Sequence, residues 1–413
     1  PAEKMALCIH CDALEKCYEA NLVCLRHKPD AVELIDGHIL ELARQNGAQQ
    51  ANRFFVSGEP AGLLVAELSA PTAEALEQKC RSLEAELAPL AYCCTHVPGK
   101  DIAKVWSLRK AGLGLLSGMK GDAKPIGVIE DTAVAPERLP AYLRDFKEML
   151  TRLGLDCVFY GHISTGELHL RPILNIKTEE GRRQFRNVAR ESALLVKKHH
   201  GSLSGEHGDG RLRGEFIPLL YGQEAYALMC AVKDLWDPDG LLNVGKIVRT
   251  PRMDECLRYD LNQQYRIDKE PGETYYNWLA AFEGSGVRSQ THALMCSVEQ
   301  CNGAGDCRKS SLMGGTMCPA YKATGDETQT TRARANTLRE ILTRGWDSPA
   351  FDAARDKGSI FDIPELKEVL DSCLACKGCR SECPSNVDMT RLRSEVLQHI
   401  YDKKGMPRRA FLV

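Results

Sequence analysis

Near the C-terminal end, Cys373-Leu-Ala-Cys376-Lys-Gly-Cys379-Arg-Ser-Glu-Cys383-Pro384 spells C-x2-C-x2-C-x3-C-P. Three thiolates at this spacing wrap one face of an iron–sulfur cubane, and a fourth Cys followed by Pro usually serves a different cluster. Zinc is the competing reading, but zinc sites normally split their ligands into two knuckles and make no use of the final Cys-Pro. A 4Fe-4S cluster on Cys373, Cys376 and Cys379 needs a fourth ligand, and Cys318, also followed by Pro, is the natural candidate. Upstream, Cys301-Asn-Gly-Ala304-Gly-Asp-Cys307 keeps the outer spacing with Ala304 where a middle Cys would stand. Cys301, Cys307 and Cys383, with Cys296 as a substitute, form an incomplete second set. A second cluster, a three-iron cluster and no cluster all stay open there.

A second constellation is built from histidine and acid. His162 and His169 flank Ile-Ser-Thr-Gly-Glu-Leu, and Glu206-His207 lies in the loop Ser204-Gly205-Glu206-His207-Gly208-Asp209-Gly210. Two His across a tight turn plus a carboxylate suit a 2-His-1-carboxylate divalent-metal site. Taken singly, such histidines are more often structural. Glu206 and His207 side by side in a glycine-rich loop are harder to assign to packing, because adjacent side chains there can take different tasks, and the glycines admit close backbone approach.

The elements that must position these residues are mixed. Lys4–Cys11 is an apolar run, Asp12 with Glu15 reads as a capping-box start for a helix to His27, and Ala31–Ile35 and Leu63–Leu68 read as strands. Thr72–Leu87 and Lys100–Leu116 read as helices. Further on, Ile126–Ile129, Asp156–His162 and Leu168–Pro172 read as strands, and Thr178–His200 as a helix with Phe185, Val188, Ala189, Leu195 and Val196 on one face and Gly201 as its stop. Helices are expected around Thr331–Arg344 and Pro364–Leu370. This predicts an α+β fold, a ferredoxin-like domain with an antiparallel sheet and covering helices, followed by a mainly helical iron–sulfur domain. The expected divisions are 1–250, a linker at 251–292, the cysteine module at 293–400, and a tail at 401–413.

A net charge of −2 gives no general field for nucleic acid or anionic lipid. No apolar run approaches the roughly 18–20 residues of a membrane span. Of the 18 cysteines, the CxxC clustering without an export signal favours reduced, metal-holding thiols in the cytoplasm over disulfides. Peripheral attachment at the inner membrane is the alternative location. Cys8, Cys11, Cys17, Cys24, Cys93, Cys94, Cys157 and Cys230 read as packing residues.

Ser204–Gly210, Asn243-Val-Gly245-Lys246-Ile247, Trp106-Ser-Leu-Arg109, Ile129-Glu130-Asp131 and the His162/His169 turn together resemble the C-terminal domain of FAD-linked D-2-hydroxy-acid dehydrogenases of the vanillyl-alcohol-oxidase superfamily. Cys301–Pro319, Tyr321-Lys-Ala-Thr and Thr331-Arg332-Ala-Arg334-Ala-Asn336 resemble the iron–sulfur extension fused to some members. The resemblance implies oxidation of a D-2-hydroxy acid (lactate, glycolate or 2-hydroxyglutarate class), with electrons leaving FAD through a cluster to a quinone, flavoprotein or other carrier. By the same resemblance, His207 is the base, and His162, His169 and Glu206 hold a divalent metal such as Zn or Mn. Arg109 and Lys124 meet the substrate carboxylate, with Arg171 as a further candidate. Glu130, Gly205, Gly208, Asn243, Gly245 and Lys246 are on the cofactor side.

Three departures qualify the match. Ser164, Thr165 and Glu167 replace the Gly, Asp and Asn of the usual metal turn, and Val244 replaces a Pro. The family's N-terminal FAD-binding domain is not in this sequence, so a fragment or a split-enzyme subunit that needs an FAD-binding partner is expected. The alternative function is a non-catalytic electron-transfer subunit.

Overall fold

The computed structural model describes residues 2–47, 49–261, 274–344, 349, 352, 360–361 and 363–408. Backbone contacts divide the chain into two units. The first holds residues 1–45, 49–112 and 123–261, and the second holds 46–48, 113–122 and 262–413.

The first unit opens with β1 (Glu3–Cys11), α1 (Leu14–Arg26), β2 (Ala31–Asp36), α2 (Gly37–Gln45), β3 (Gly62–Ala70), α3 (Ala73–Leu87) and β4 (Cys93–Pro98). The sheet order is β2-β3-β1-β4, and every pairing is antiparallel. That is the ferredoxin-like arrangement expected from the sequence. β1 is apolar nearly throughout because it is a central strand: Ala6, Leu7, Cys8 and Ile9 are all buried. Cys17 and Cys24 of α1 pack into the same core, as does Cys80 of α3. Thr72 caps α3 by accepting from the Ala75 amide at 3.2 Å, a contact worth about 1 kcal/mol. The capping box at Asp12 does not form: Ala13 is the N-cap of α1, and Asp12 instead pairs with Lys16 on the surface.

After α4 (Ile102–Ser117) come β5 (Lys124–Pro125), β6 (Thr132–Ala133), α5 (Leu139–Leu153), β7 (Cys157–Tyr160), β8 (Glu167–Leu174) and α6 (Glu179–Lys198). β8 is the hub of this smaller sheet and pairs with β5, β6 and β7. Ile126–Ile129, expected as a strand, is irregular. Ladder pairing occurs at Lys124–Pro125, while Val128 and Ile129 are buried as core. α5 buries Leu139, Tyr142, Leu143, Phe146, Met149 and Leu150 on one face. The chain leaves α6 through His200 in the left-handed region (φ 56°), not through Gly201. Gly201 is needed for approach, since a Cβ there would lie 2.3 Å from the Ala133 carbonyl oxygen. The short α7 (Ile217–Tyr221) and α8 (Gln223–Trp236) complete this unit.

The second unit is helical: α9 (Gln290–Glu299), α10 (Pro319–Thr324), α11 (Thr331–Arg344), α12 (Pro364–Asp371), α13 (Gly378–Glu382) and α14 (Met389–Lys404). Its core gathers Leu294, Met295, Leu338, Ile341, Leu366, Leu370, Leu392 and Val396. Trp278 and Phe282, within the stretch read as a linker, are buried in this core. Residues 262–273 of that stretch, Pro271-Gly272 included, and 409–413 of the tail lie outside the described residues. Among the described residues, no helix is long and apolar enough to cross a membrane.

Candidate functional site

In the first unit, β7 ends beside β2, where the Leu34 and Gly161 backbones exchange hydrogen bonds of 3.0 and 3.2 Å. The next residue, His162, enters a turn that closes at Gly166 (φ 77°), where a Cβ would meet the Val134 carbonyl oxygen at 1.8 Å. β8 then carries Glu167 and His169, and His169 faces Tyr160 across the hairpin. The His162 and His169 ring centroids are 5.5 Å apart, and the His169 and His207 rings stack at 5.4 Å.

The loop with Glu206 and His207 is held by Asp131. This fully buried carboxylate accepts from the Glu206 amide at 2.7 Å, the His207 amide at 2.9 Å and the Ser204 hydroxyl. Burial alone would push the Asp131 carboxyl up, but these donors outweigh it and hold it below the usual range. Gly205 lets the loop press on β8, since a Cβ there would lie 2.9 Å from Glu167 Cγ. Gly208 has φ 80°, and its carbonyl accepts from Arg213 at 2.6 Å.

Ligand atoms of His162, Glu167, His169 and Glu206 lie within 4.8 Å of one another. His162 Nε2 is 3.3 Å from Glu206 Oε1, and its Nδ1 is 2.5 Å from Glu33 Oε1. The Glu33 carboxylate raises the His162 pKa by hydrogen bonding and charge. A metal-binding His is commonly oriented through its other nitrogen by such a carboxylate. Among the described residues, both oxygens of the buried Glu167 and Nδ1 of the buried His169 find no hydrogen-bond partner. Imidazole and carboxylate donors left in this state fit a divalent cation.

Two of the basic residues singled out from the sequence, Arg109 and Arg171, are tied to acids. Arg109 donates through Nε to Glu33 at 2.8 Å and lies over the Tyr160 ring. Arg171 pairs with Glu130 and donates to the Tyr160 hydroxyl at 3.0 Å. Lys124 lies in β5, in register with Leu174. Asn243 and Lys246 are exposed, beyond α8, and Asn243 and Gly245 have positive φ. Glu33 was not singled out from the sequence, and Glu167 was noted only as a departure from the usual metal turn. Glu33 is an acid inside the apolar run Ala-Val-Glu33-Leu-Ile, and Glu167 opens β8 between the two histidines of the turn; those were the available signals.

In the second unit, left-handed residues Ala375 and Lys377 turn the chain on both sides of Cys376. Burial pushes the Cys379 thiol up to about 11, and Cys373 adds to the shift. The loop before Cys318 is clamped to α13, where Glu382 accepts from the amides of Thr316 at 2.7 Å and Met317 at 3.0 Å. The buried Arg334 donates to Cys318 Sγ at 3.4 Å and to Ser372 Oγ at 2.7 Å. Cys318 is thereby tied to the residue preceding Cys373. Cys383 is raised by burial, with Cys301 and Cys307 as further charges acting on it; Cys307 is raised likewise, with Cys301 and Cys318 acting on it. Cys296 faces Asp122, 3.7 Å from Oδ1, in a group with His292.

Residues 1–247 match the family described as FAD linked oxidases, C-terminal domain, and residues 297–387 match the 4Fe-4S dicluster domain. The D-2-hydroxyglutarate dehydrogenase of Escherichia coli (strain K12) is 29% identical over 423 residues, covering 93% of this chain and 40% of that protein. That of Pseudomonas putida is 28% identical over 433 residues, covering 96% of this chain and 40% of that protein. The D-lactate dehydrogenase of Archaeoglobus fulgidus is 31% identical over 130 residues, covering 32% of this chain and 28% of that protein. The chain thus spans about two fifths of the length of the first two relatives. The two matches support FAD and an iron–sulfur cluster as cofactors. On the match across residues 1–247, the chain belongs to the FAD-linked oxidases, through their C-terminal domain.

Proposed function

We propose that this chain supplies the substrate-binding and iron–sulfur parts of a flavin-dependent dehydrogenase that oxidises a D-2-hydroxy acid to the 2-oxo acid. The acid is of the lactate, glycolate or 2-hydroxyglutarate class, and electrons leave through a 4Fe-4S cluster to an external acceptor. An FAD-binding half completes the enzyme. The observation that carries this reading is the convergence of His162, His169 and Glu206 beside His207.

Bound flavin would supply the acceptor for the C2 hydride of the acid, and a divalent cation would supply Lewis-acid polarisation of its hydroxyl. His207, half exposed, takes the hydroxyl proton on its imidazole. Asp131 Oδ2 lies 4.0 Å from His207 Nδ1 and stabilises the imidazolium that results. His162, His169 and Glu206 are the metal ligands of this reading, and Glu33 keeps Nε2 of His162 turned toward Glu206. Arg109 and Arg171, with Lys124, supply positive charge for the substrate carboxylate. Cys318, Cys373, Cys376 and Cys379 hold the cluster. Cys301, Cys307 and Cys383 are the ligands available to a second one.

The test is His207→Ala in the enzyme reconstituted with its flavin-binding half. Loss of 2-hydroxy-acid-dependent flavin reduction, with the cluster still reducible by dithionite, is expected. Unchanged turnover would assign the chain to electron transfer alone.

A further inference from the structure

Glu167 follows the left-handed Gly166 at the start of β8, with its side chain 6% exposed. Its Oε1 lies 3.2 Å from His169 Nδ1, yet the direction is wrong for a hydrogen bond, and all three atoms (both Glu167 oxygens and that nitrogen) find no hydrogen-bond partner among the described residues. An ionised carboxylate so placed is strongly disfavoured unless it is paired or binds a cation. A residue needed only for packing would be apolar here, between the buried Gly166 and Leu168.

We propose that Glu167 is a fourth protein ligand, so that the centre is a 2-His-2-carboxylate set of His162, His169, Glu206 and Glu167. This rests on the metal reading given above and changes its chemistry. Ligands about 2.1 Å from one ion sit up to about 4.2 Å apart. The four side chains, already within 4.8 Å of one another, are gathered close to the span that the ligands of one ion take. Two carboxylates and two neutral imidazoles exactly offset a divalent charge, whereas one carboxylate would leave the centre at +1. Four protein ligands also fill a tetrahedral zinc shell and leave no position for substrate. A centre that the hydroxy acid can reach with this set takes a six-coordinate ion of the Mn2+ class, which nitrogen and oxygen donors suit.

The experiment is a Mn2+ titration of the full chain, with free ion followed by electron paramagnetic resonance, for wild type, Glu167→Gln and Glu206→Gln. Glu167→Gln is expected to weaken Mn2+ binding by about 10- to 100-fold or more, the range that even outer partners of a ligand command. Without metal it should melt no lower than wild type, because Gln removes a buried unpaired charge; that result also excludes misfolding as the cause. Wild-type affinity in Glu167→Gln alongside weakened Glu206→Gln would overturn the proposal and leave the three-ligand metal reading standing. No Mn2+ binding by wild type would overturn both. Co2+ in the wild-type site should give the weak absorption of a six-coordinate ion; the intense bands of a tetrahedral one would overturn the coordination assignment.

Discussion

Glu33 of β2 reaches His162, in the turn that follows β7, with Oε1 2.5 Å from Nδ1, while its other oxygen takes the Arg109 guanidinium. One carboxylate thus orients a candidate ligand and anchors a candidate substrate contact. Glu33→Gln should lower metal affinity by about 10- to 100-fold. It should lower kcat and raise KM together, because His162 loses its orienting charge and Arg109 its anchor. Metal content and steady-state kinetics of the reconstituted enzyme check this; a change in KM alone would remove Glu33 from that role.

Asp131 holds the loop of Glu206 and His207 through two amides and the Ser204 hydroxyl, and Arg213 Nη2 lies 3.5 Å away. Asp131→Ala leaves those three donors without their acceptor and takes the carboxylate away from the buried Arg213, which keeps the Glu130 and Gly208 carbonyls. The expected loss is about 3–5 kcal/mol, read by urea unfolding. Asp131→Asn, which keeps acceptor geometry on one side, should lose less stability but still slow turnover, because no charge remains beside His207.

The Asp145 carboxylate of α5 accepts from Lys198 and His199 at the end of α6, both at 2.7 Å, and these two bonds hold its pKa below the usual value. A depressed carboxyl contributes stability above its unfolded pKa, about 3.9, and loses it as pH falls through the folded value. Partial exposure limits the effect to about 0.5 kcal/mol. Asp145→Asn should therefore be slightly less stable than wild type at pH 7 and equal to it near pH 2. Equal stability at both would deny the pair any weight.

In the second unit, the buried Glu395 of α14 accepts from the Tyr275 and Tyr276 amides at 2.8 and 3.0 Å and from Trp278 Nε1 at 3.0 Å. Glu395→Ala takes the acceptor from two part-buried amides and from the buried Trp278 indole, and a donor buried without a partner costs about 1–3 kcal/mol. A lowered melting temperature and increased proteolysis near residues 274–282 are expected. Glu395→Gln should restore part of the loss.

The Arg334 contact with Cys318 Sγ predicts a redox effect. Loss of about 1–1.5 kcal/mol from a charged hydrogen bond to a cluster sulfur corresponds to about 40–60 mV for one electron. Arg334→Gln should lower the cluster potential by that amount, since a nearby cation favours the reduced form. A redox titration by electron paramagnetic resonance, at full iron content, gives the value. An unaltered potential would argue against Cys318 as a ligand.

Which elements exist was largely legible in the chain. The apolar run of β1, the Thr-capped starts of α3 and α6, and the one-faced pattern of α6 depend on neighbours in sequence, and all appear where that pattern places them. The cysteine spacing at 373–383 and the Gly-Glu206-His207-Gly loop are likewise local signals. Local pattern failed where a distant partner decides. Ile126–Ile129 has strand composition, yet it follows a strand that pairs with β8 only at Lys124 and Pro125. Asp12 and Glu15 have capping-box spacing, but each is drawn to a lysine, Lys16 and Lys147.

The sequence by itself determined the donor types: thiolates at cubane spacing, two histidines across a turn, and an acid and a base side by side in a glycine-rich loop. Only the tertiary structure decided which acids join them. Glu33 meets His162 because β2 and β7 lie edge to edge, and Glu167 points among the histidines because Gly166 and Gly205 let β8 and the loop approach. A buried carboxylate is read from its surroundings, and those come from segments up to 129 residues apart in the chain.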